Sequence, residues 1–236
     1  MLLEFWFHLL FLWLAVILPF ATWRRRNAYR RDAPGQRLTS RRLYLRVMIG
    51  QWLAAGALVF VFRRIGSPLA TLGLRPPLLM PTLWILLAIA VALPLGLFLG
   101  KRRLDSSARR AELRERFGGA SLLVPTTDSE QRWWNALAIT AGVCEELLYR
   151  GYLGFYLGRY LPIPWVAVLA SVFFGLGHLY LGPRHALRTF IVGAGFWGIY
   201  LSTGSILPGM VLHALIDVRA GAALRRAFTE PAPDAA

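Results

Sequence analysis

A chain of 236 residues, 56% of them hydrophobic and only 17% charged, has too little polar surface to clothe a soluble core of its size. Its mean hydropathy is +0.49, and the apolar residues come in long blocks rather than in alternation, the pattern a bilayer selects. The formal charge of +15 would suit nucleic acid, but the arginines crowd between the apolar blocks, chiefly over 24–46 and 101–116. Cytoplasmic loops beside anionic headgroups carry that bias, so membrane lipids are the expected partner and nucleic acid is not.

In chain order, apolar blocks fall at about 3–22, 43–62, 82–100, 134–157, 163–181, 187–203 and 205–224. The first has no basic stretch before it and Arg24, Arg25 and Arg26 after it, which reads as a retained anchor rather than a cleaved signal. Placing the basic loops in the cytoplasm puts the N-terminus outside and the C-terminus inside, against the grain of Arg63, Arg64 and Arg75. The polar stretch 101–133 is expected to begin with an amphipathic surface helix. Spanning segments must be helical, because open strands would leave backbone groups unsatisfied in lipid. The expectation is an all-α, polytopic transmembrane helix bundle of about seven spans. Residues 1–129 form N-terminal transmembrane helices and basic loops, 130–224 the helices with the site, and 225–236 a flexible tail.

Ionisable groups inside spans are costly and default to function or pairing. Here they gather in three blocks of the C-terminal half. In Glu145-Glu146-Leu147-Leu148-Tyr149-Arg150 the four-residue spacing lets Glu146 pair with Arg150. Glu145 points about 100° away by helix geometry and is left facing a cavity or another helix. A desolvated carboxylate is a better base; the plainer reading is two glutamates in buried structural contacts. Phe174 and His178 share a face, and Gly175 and Gly177 between them admit a close helix. His213 and Asp217 repeat the spacing, with Pro208-Gly209 expected to loosen the helix upstream. Taken singly, a core histidine or a helix-stabilising His–Asp pair would explain them. Together, one free carboxylate and two imidazoles on separate helices can hold and deprotonate a water. A thiol peptidase built on Cys144 is disfavoured, since nothing cationic flanks the thiol to activate it.

These three ordered motifs resemble the CAAX-protease and bacteriocin-processing (Abi) family, which includes the Rce1-type prenyl-protein endopeptidases. The likeness covers roughly 130–220, and Leu72-Gly73-Leu74-Arg75-Pro76 also looks like a segment of bacterial members. It implies an intramembrane endopeptidase in which Glu145, helped by His178, activates water and His213 stabilises the oxyanion, with Asp217 beside it. Glu146, Arg150 and Phe174 would support the site or grip substrate. Many members carry Asn where this chain has Asp217. An ionised Asp cannot donate to an oxyanion, so Asp217 orients His213, is itself protonated, or binds a metal. Cofactor dependence has two forms: none, or a divalent metal such as zinc on Glu145, His178 and His213. The expected substrate is a membrane-associated peptide or protein, and the expected location is the bacterial inner (plasma) membrane. The alternative is a non-catalytic membrane scaffold or immunity-type protein that retains the fold.

Overall fold

The computed structural model describes residues 2–24, 26–30, 32, 38–88, 90 and 106–230, and among these it is built from helices without a strand. The first helix, α1, runs Leu2–Leu12, widens into a π-helical stretch at Trp13–Ile17 and continues as Leu18–Arg24. Pro19 explains the widening: its ring would press on the carbonyl four residues earlier, inside the wide turn. Arg24 and Arg26 lie over Phe20 and Trp23 and mark the end of the apolar rod.

Helix α2 (Ser40–Arg64) opens on Thr39, whose side chain accepts from the Arg42 amide at 3.3 Å. One face carries Leu43, Tyr44, Ala55, Leu58 and Phe62 into the core, and the other exposes Ile49, Trp52, Leu53 and Phe60. Exposed aromatics and aliphatics on a rod of this length suit contact with lipid. A single 3-10 turn, Leu69–Leu72, leads to Gly73 at φ 73°. The Gly73 carbonyl accepts from the Ile206 amide at 3.1 Å, and the Leu78 amide donates to Thr203 at 2.8 Å. The Leu72–Pro76 segment therefore ties the N-terminal half to the junction between the last two helices. Helix α3 spans Leu79–Ala88. Most of the block expected at 82–100 lies outside the described residues.

Helix α4 (Ser107–Gly118) stands where an amphipathic helix was expected, and Arg110 and Arg114 attach it to the end of the last helix. Helix α5 (Asp128–Glu146) is capped by Thr127, with Asp128 and Glu130 in its first turn. It runs on through a π-helical stretch at Leu147–Tyr152 into Leu153–Leu157. Helices α6 (Ile163–Gly177), α7 (Pro183–Thr203) and α8 (Leu207–Thr229) complete the bundle. Pro208 sits in the first turn of α8, so it opens the helix rather than loosening it midway. The helix also continues to Thr229, through the first part of the stretch expected as tail, and 231–236 lie outside the described residues.

Two close approaches set the packing. A Cβ at Gly142 would lie 2.7 Å from the Met210 carbonyl, so α5 and α8 meet backbone to backbone. One at Gly175 would lie 2.7 Å from the Ala186 carbonyl, which brings α6 equally close to α7. Three described helices are long and apolar enough to cross a membrane: Glu4–Arg24, Ser40–Arg64 and Leu207–Thr229. α6 is apolar but has only 15 residues.

Candidate active site

The close packing of α5 on α8 sets Glu146 against His213. Glu146 is 1% exposed, and its Oε1 accepts from Arg150 Nη1 at 2.9 Å and from His213 Nδ1 at 2.9 Å. The expected Glu146–Arg150 pair is therefore present, deeply buried, and it also engages His213. A second guanidinium nitrogen, Nη2, donates to the Gly193 carbonyl of α7 at 3.0 Å. The Arg150 guanidinium lies between two rings, 4.5 Å from the Phe174 centroid and 5.1 Å from that of Phe196. This one cation thus joins α5, α6 and α7. The π-helical stretch holding Arg150 begins directly after Glu146, and such widened turns concentrate at functional sites.

Glu145 points elsewhere, as its helical phase requires. Its Oε1 accepts from Gln51 Nε2 of α2 at 2.6 Å. Its Oε2 is buried with no hydrogen-bond partner and lies 3.9 Å from His213 Nε2. Asp217 Oδ2 is 3.6 Å from the same nitrogen, one turn along α8, and the Asp217 backbone carbonyl accepts from Trp134 Nε1 at 2.8 Å. With Nδ1 committed to Glu146, His213 presents Nε2 to two further carboxylates.

His178 closes α6. Its Nδ1 sits 2.9 Å from the Phe174 carbonyl, which can only accept, so Nδ1 carries a proton and, in the neutral ring, Nε2 is the lone-pair nitrogen. Phe174 meets both imidazoles edge to face, with centroids 5.1 Å from His178 and 5.9 Å from His213. Phe196 stacks on the other side of His213 at 5.2 Å. Glu145, Phe174, His178, His213 and Asp217 all line one cavity of about 350 Å³, walled otherwise largely by apolar side chains of α2, α5, α7 and α8. Glu146 and Arg150 lie buried beneath it rather than in its lining.

All seven residues singled out in the sequence thus converge. Two were missed. Gln51 had a visible signal, an amide inside an otherwise apolar block, but an ionisable-residue search passes over it. Phe196 had none, being one aromatic among many. Cys144 is buried and absent from the cavity lining.

Among the described residues no group of three or more His, Cys, Asp or Glu is arranged to hold a metal ion. Within the Glu145, His178 and His213 set, His213 Nε2 lies 3.9 Å from Glu145 Oε2 while Nδ1 is held by the Glu146 carboxylate, so Nε2 is the nitrogen left to face a water or a metal ion.

No curated protein and no solved structure matches the chain. Residues 130–219, which contain all seven of these converging side chains, match the family model described as type II CAAX prenyl endopeptidase Rce1-like.

Proposed function

We propose that the protein is an intramembrane endopeptidase that hydrolyses a peptide bond of a membrane-associated peptide or protein with a water activated by Glu145 and His178. The observation that carries this reading is the second carboxylate oxygen of Glu145. It is buried and without a hydrogen-bond partner, on a residue that lines the cavity, and lies 3.9 Å from His213 Nε2. A buried acceptor without a donor is expensive unless a ligand or water completes it.

Glu145 Oε2 and the unprotonated Nε2 of His178 would hold the water and take its proton. The hydroxide so formed adds to the scissile carbonyl carbon, and the carbonyl oxygen takes up negative charge. His213, as an imidazolium compensated by Glu146, has Nε2–H free to donate to that oxygen. The proton on Glu145 or His178 then passes to the leaving amine, and the C–N bond breaks. Glu146, Arg150, Phe174 and Phe196 act by holding His213 and His178 in register.

We read the remaining C-terminal helices as further spans, for a total of about seven, in an inner membrane with the basic loops on the cytoplasmic face. Glu145, Glu146 and Arg150 themselves depress the hydropathy of α5 and its continuation.

The test is hydrolysis by the full chain in lipid nanodiscs, using a fluorogenic prenylated peptide ending in a CAAX sequence and a panel of unprenylated transmembrane peptides. Cleavage by wild type and its loss in Glu145→Gln support a peptidase. If no probe is cut, and Glu145→Gln keeps the cellular phenotype of the wild type, the scaffold reading replaces it.

A further inference from the structure

Arg63 and Arg64 end α2 on the side opposite the main basic loops, and the site uses neither. Both are exposed, and no carboxylate among the described residues pairs with them. Glu4, the one acid of α1 and α2, is held by Arg159 at 2.9 Å. The negative end of the helix dipole favours cations in a last turn, but it leaves the outer N–H donors of both guanidiniums unspent.

Next to these arginines α1 and α2 part. A groove runs between Trp6, Leu9 and Leu10 on one side and Ala54, Ala57 and Val61 on the other. The Phe7 and Phe62 rings, with centroids 5.8 Å apart, put the start of α1 beside the end of α2. Ala57, Val61 and Arg64 are four and then three residues apart, so by helical phase the groove leads to Arg64. From Ala54 to Val61 the helix rises about 10 Å, within the ~15 Å of hydrocarbon in one leaflet. The groove volume of about 240 Å³ over that length leaves a mean section of roughly 25 Å². A single polymethylene chain fits such a section, whereas a helix about 10–12 Å across needs several times more.

We propose that this groove and its two arginines bind one anionic phospholipid. An acyl chain lies along Ala54, Ala57 and Val61, and Arg64, with Arg63 beside it, holds the phosphate. The lipid site stands whether or not the chain is a peptidase. It gives a counter-charge to two arginines that run against the bias of the other loops. Phe7 also lines the groove, and its carbonyl accepts from the Tyr152 hydroxyl. Tyr152 ends the π-helical stretch that holds Arg150, so a bound lipid braces α1 against the helix that carries the site.

The test is photo-cross-linking of the full chain in phosphatidylcholine nanodiscs. Trace phosphatidylglycerol or phosphatidylcholine carries the same diazirine-bearing acyl chain, and the labelled residues are mapped by mass spectrometry. Exposed Ile191 of α7 serves as the reference for bulk lipid. Labelling of Trp6, Leu10 and Val61 relative to Ile191 should be about fivefold higher with the phosphatidylglycerol probe, as charge-assisted hydrogen bonds to its phosphate allow. Arg63→Gln with Arg64→Gln should bring that preference within about twofold. Ala57→Phe fills the groove from an exposed position and should lower groove labelling by both probes about fivefold, with Ile191 unchanged. On the wild type alone, unlabelled phosphatidylglycerol at a tenth of the lipid should suppress the signal, and glycerophosphoglycerol, which has no acyl chain, should not. Equal labelling by the two probes, a preference that survives the double substitution, or groove labelling unmoved by Ala57→Phe overturns the proposal. Displacement by glycerophosphoglycerol would mark a soluble-phosphate site and overturn it as well. A groove that neither probe reaches is covered by protein, and that too overturns it.

Discussion

His213 and Arg150 share one oxygen: Glu146 Oε1 accepts from His213 Nδ1 and from Arg150 Nη1, each at 2.9 Å. A single buried carboxylate thereby compensates the Arg150 guanidinium and orients the imidazole that faces the cavity. Its loss should be felt in stability as well as in activity. Glu146→Ala leaves Arg150 buried without a counter-ion, and we expect destabilisation on the order of 3–5 kcal/mol. Replacing both partners, Glu146→Leu with Arg150→Met, should recover most of that stability and none of the activity. Denaturant unfolding in mixed micelles beside a peptidase assay separates the two effects. A double variant as unstable as Glu146→Ala would contradict this account.

Gln51 predicts a different signature. It fixes Glu145 through one oxygen and leaves the other free. Gln51→Met keeps the length and apolar bulk but loses the donor, so kcat should fall about tenfold with KM little changed, the size of one lost positioning contact. On a Glu145→Gln background the same substitution should add nothing, because the two act as one unit. Additive losses in the steady-state kinetics would mean that Gln51 works through something other than Glu145.

How much of this could be read from the chain follows from which interactions are local. The Glu146–Arg150 and His213–Asp217 pairings are one helical turn apart, and i,i+4 spacing exposes them directly. The convergence of α5, α6 and α8 was suggested only by the cost of ionisable groups in lipid. The Gln51–Glu145 contact spans 94 positions and joins two halves of the molecule, and no periodicity reports it. The number of spans was the least legible feature. The acidic pair that makes the site also interrupts the hydropathy of α5, α6 is short, and among the described residues three helices pass as spans on length and apolarity. The π-helical stretch after Glu146 left no mark in composition, since apart from Arg150 its residues are the same apolar and aromatic types found elsewhere in the core.

Gly142 offers a test of the helix pairing itself. Any side chain there drives into the Met210 carbonyl and the Ala214 amide, at 2.7 and 2.9 Å from the added Cβ. Gly142→Ala should therefore push α5 from α8, lowering stability by about 1–3 kcal/mol and moving His213 from Glu146. Gly195→Ala is the matched control, since nothing lies within 4 Å of its added Cβ. There the usual helical advantage of alanine should make the change neutral or stabilising by up to about 1 kcal/mol. Thermal unfolding of the pair in one lipid mixture decides the matter, and equal responses would remove the close α5–α8 approach as an explanation.

Cys144 lies next to the proposed base but is buried in the core and outside the cavity lining. Cys144→Ala should therefore keep kcat/KM within about threefold, the change reflecting lost packing alone. Thiol-alkylating reagents should likewise leave the wild type active. Abolished turnover in a variant that still folds would reopen a cysteine mechanism.

Asp217 has the most informative conservative substitution. Its Oδ2 lies 3.6 Å from His213 Nε2, while its backbone carbonyl is held separately by Trp134. In Asp217→Asn the side-chain oxygen can still accept from His213, and the new amide N–H can donate to an oxyanion, which an ionised aspartate cannot do. The backbone bond to Trp134 is untouched. We expect Asp217→Asn to retain activity within about threefold or to raise it, and Asp217→Ala to lose tenfold or more, because alanine offers His213 no acceptor and the oxyanion no donor. Rates for the three proteins under identical lipid and pH conditions separate the possible roles. Preserved activity in the asparagine variant assigns the position to hydrogen bonding around His213. Its loss, with the fold intact by circular dichroism, would show that negative charge at this position is required.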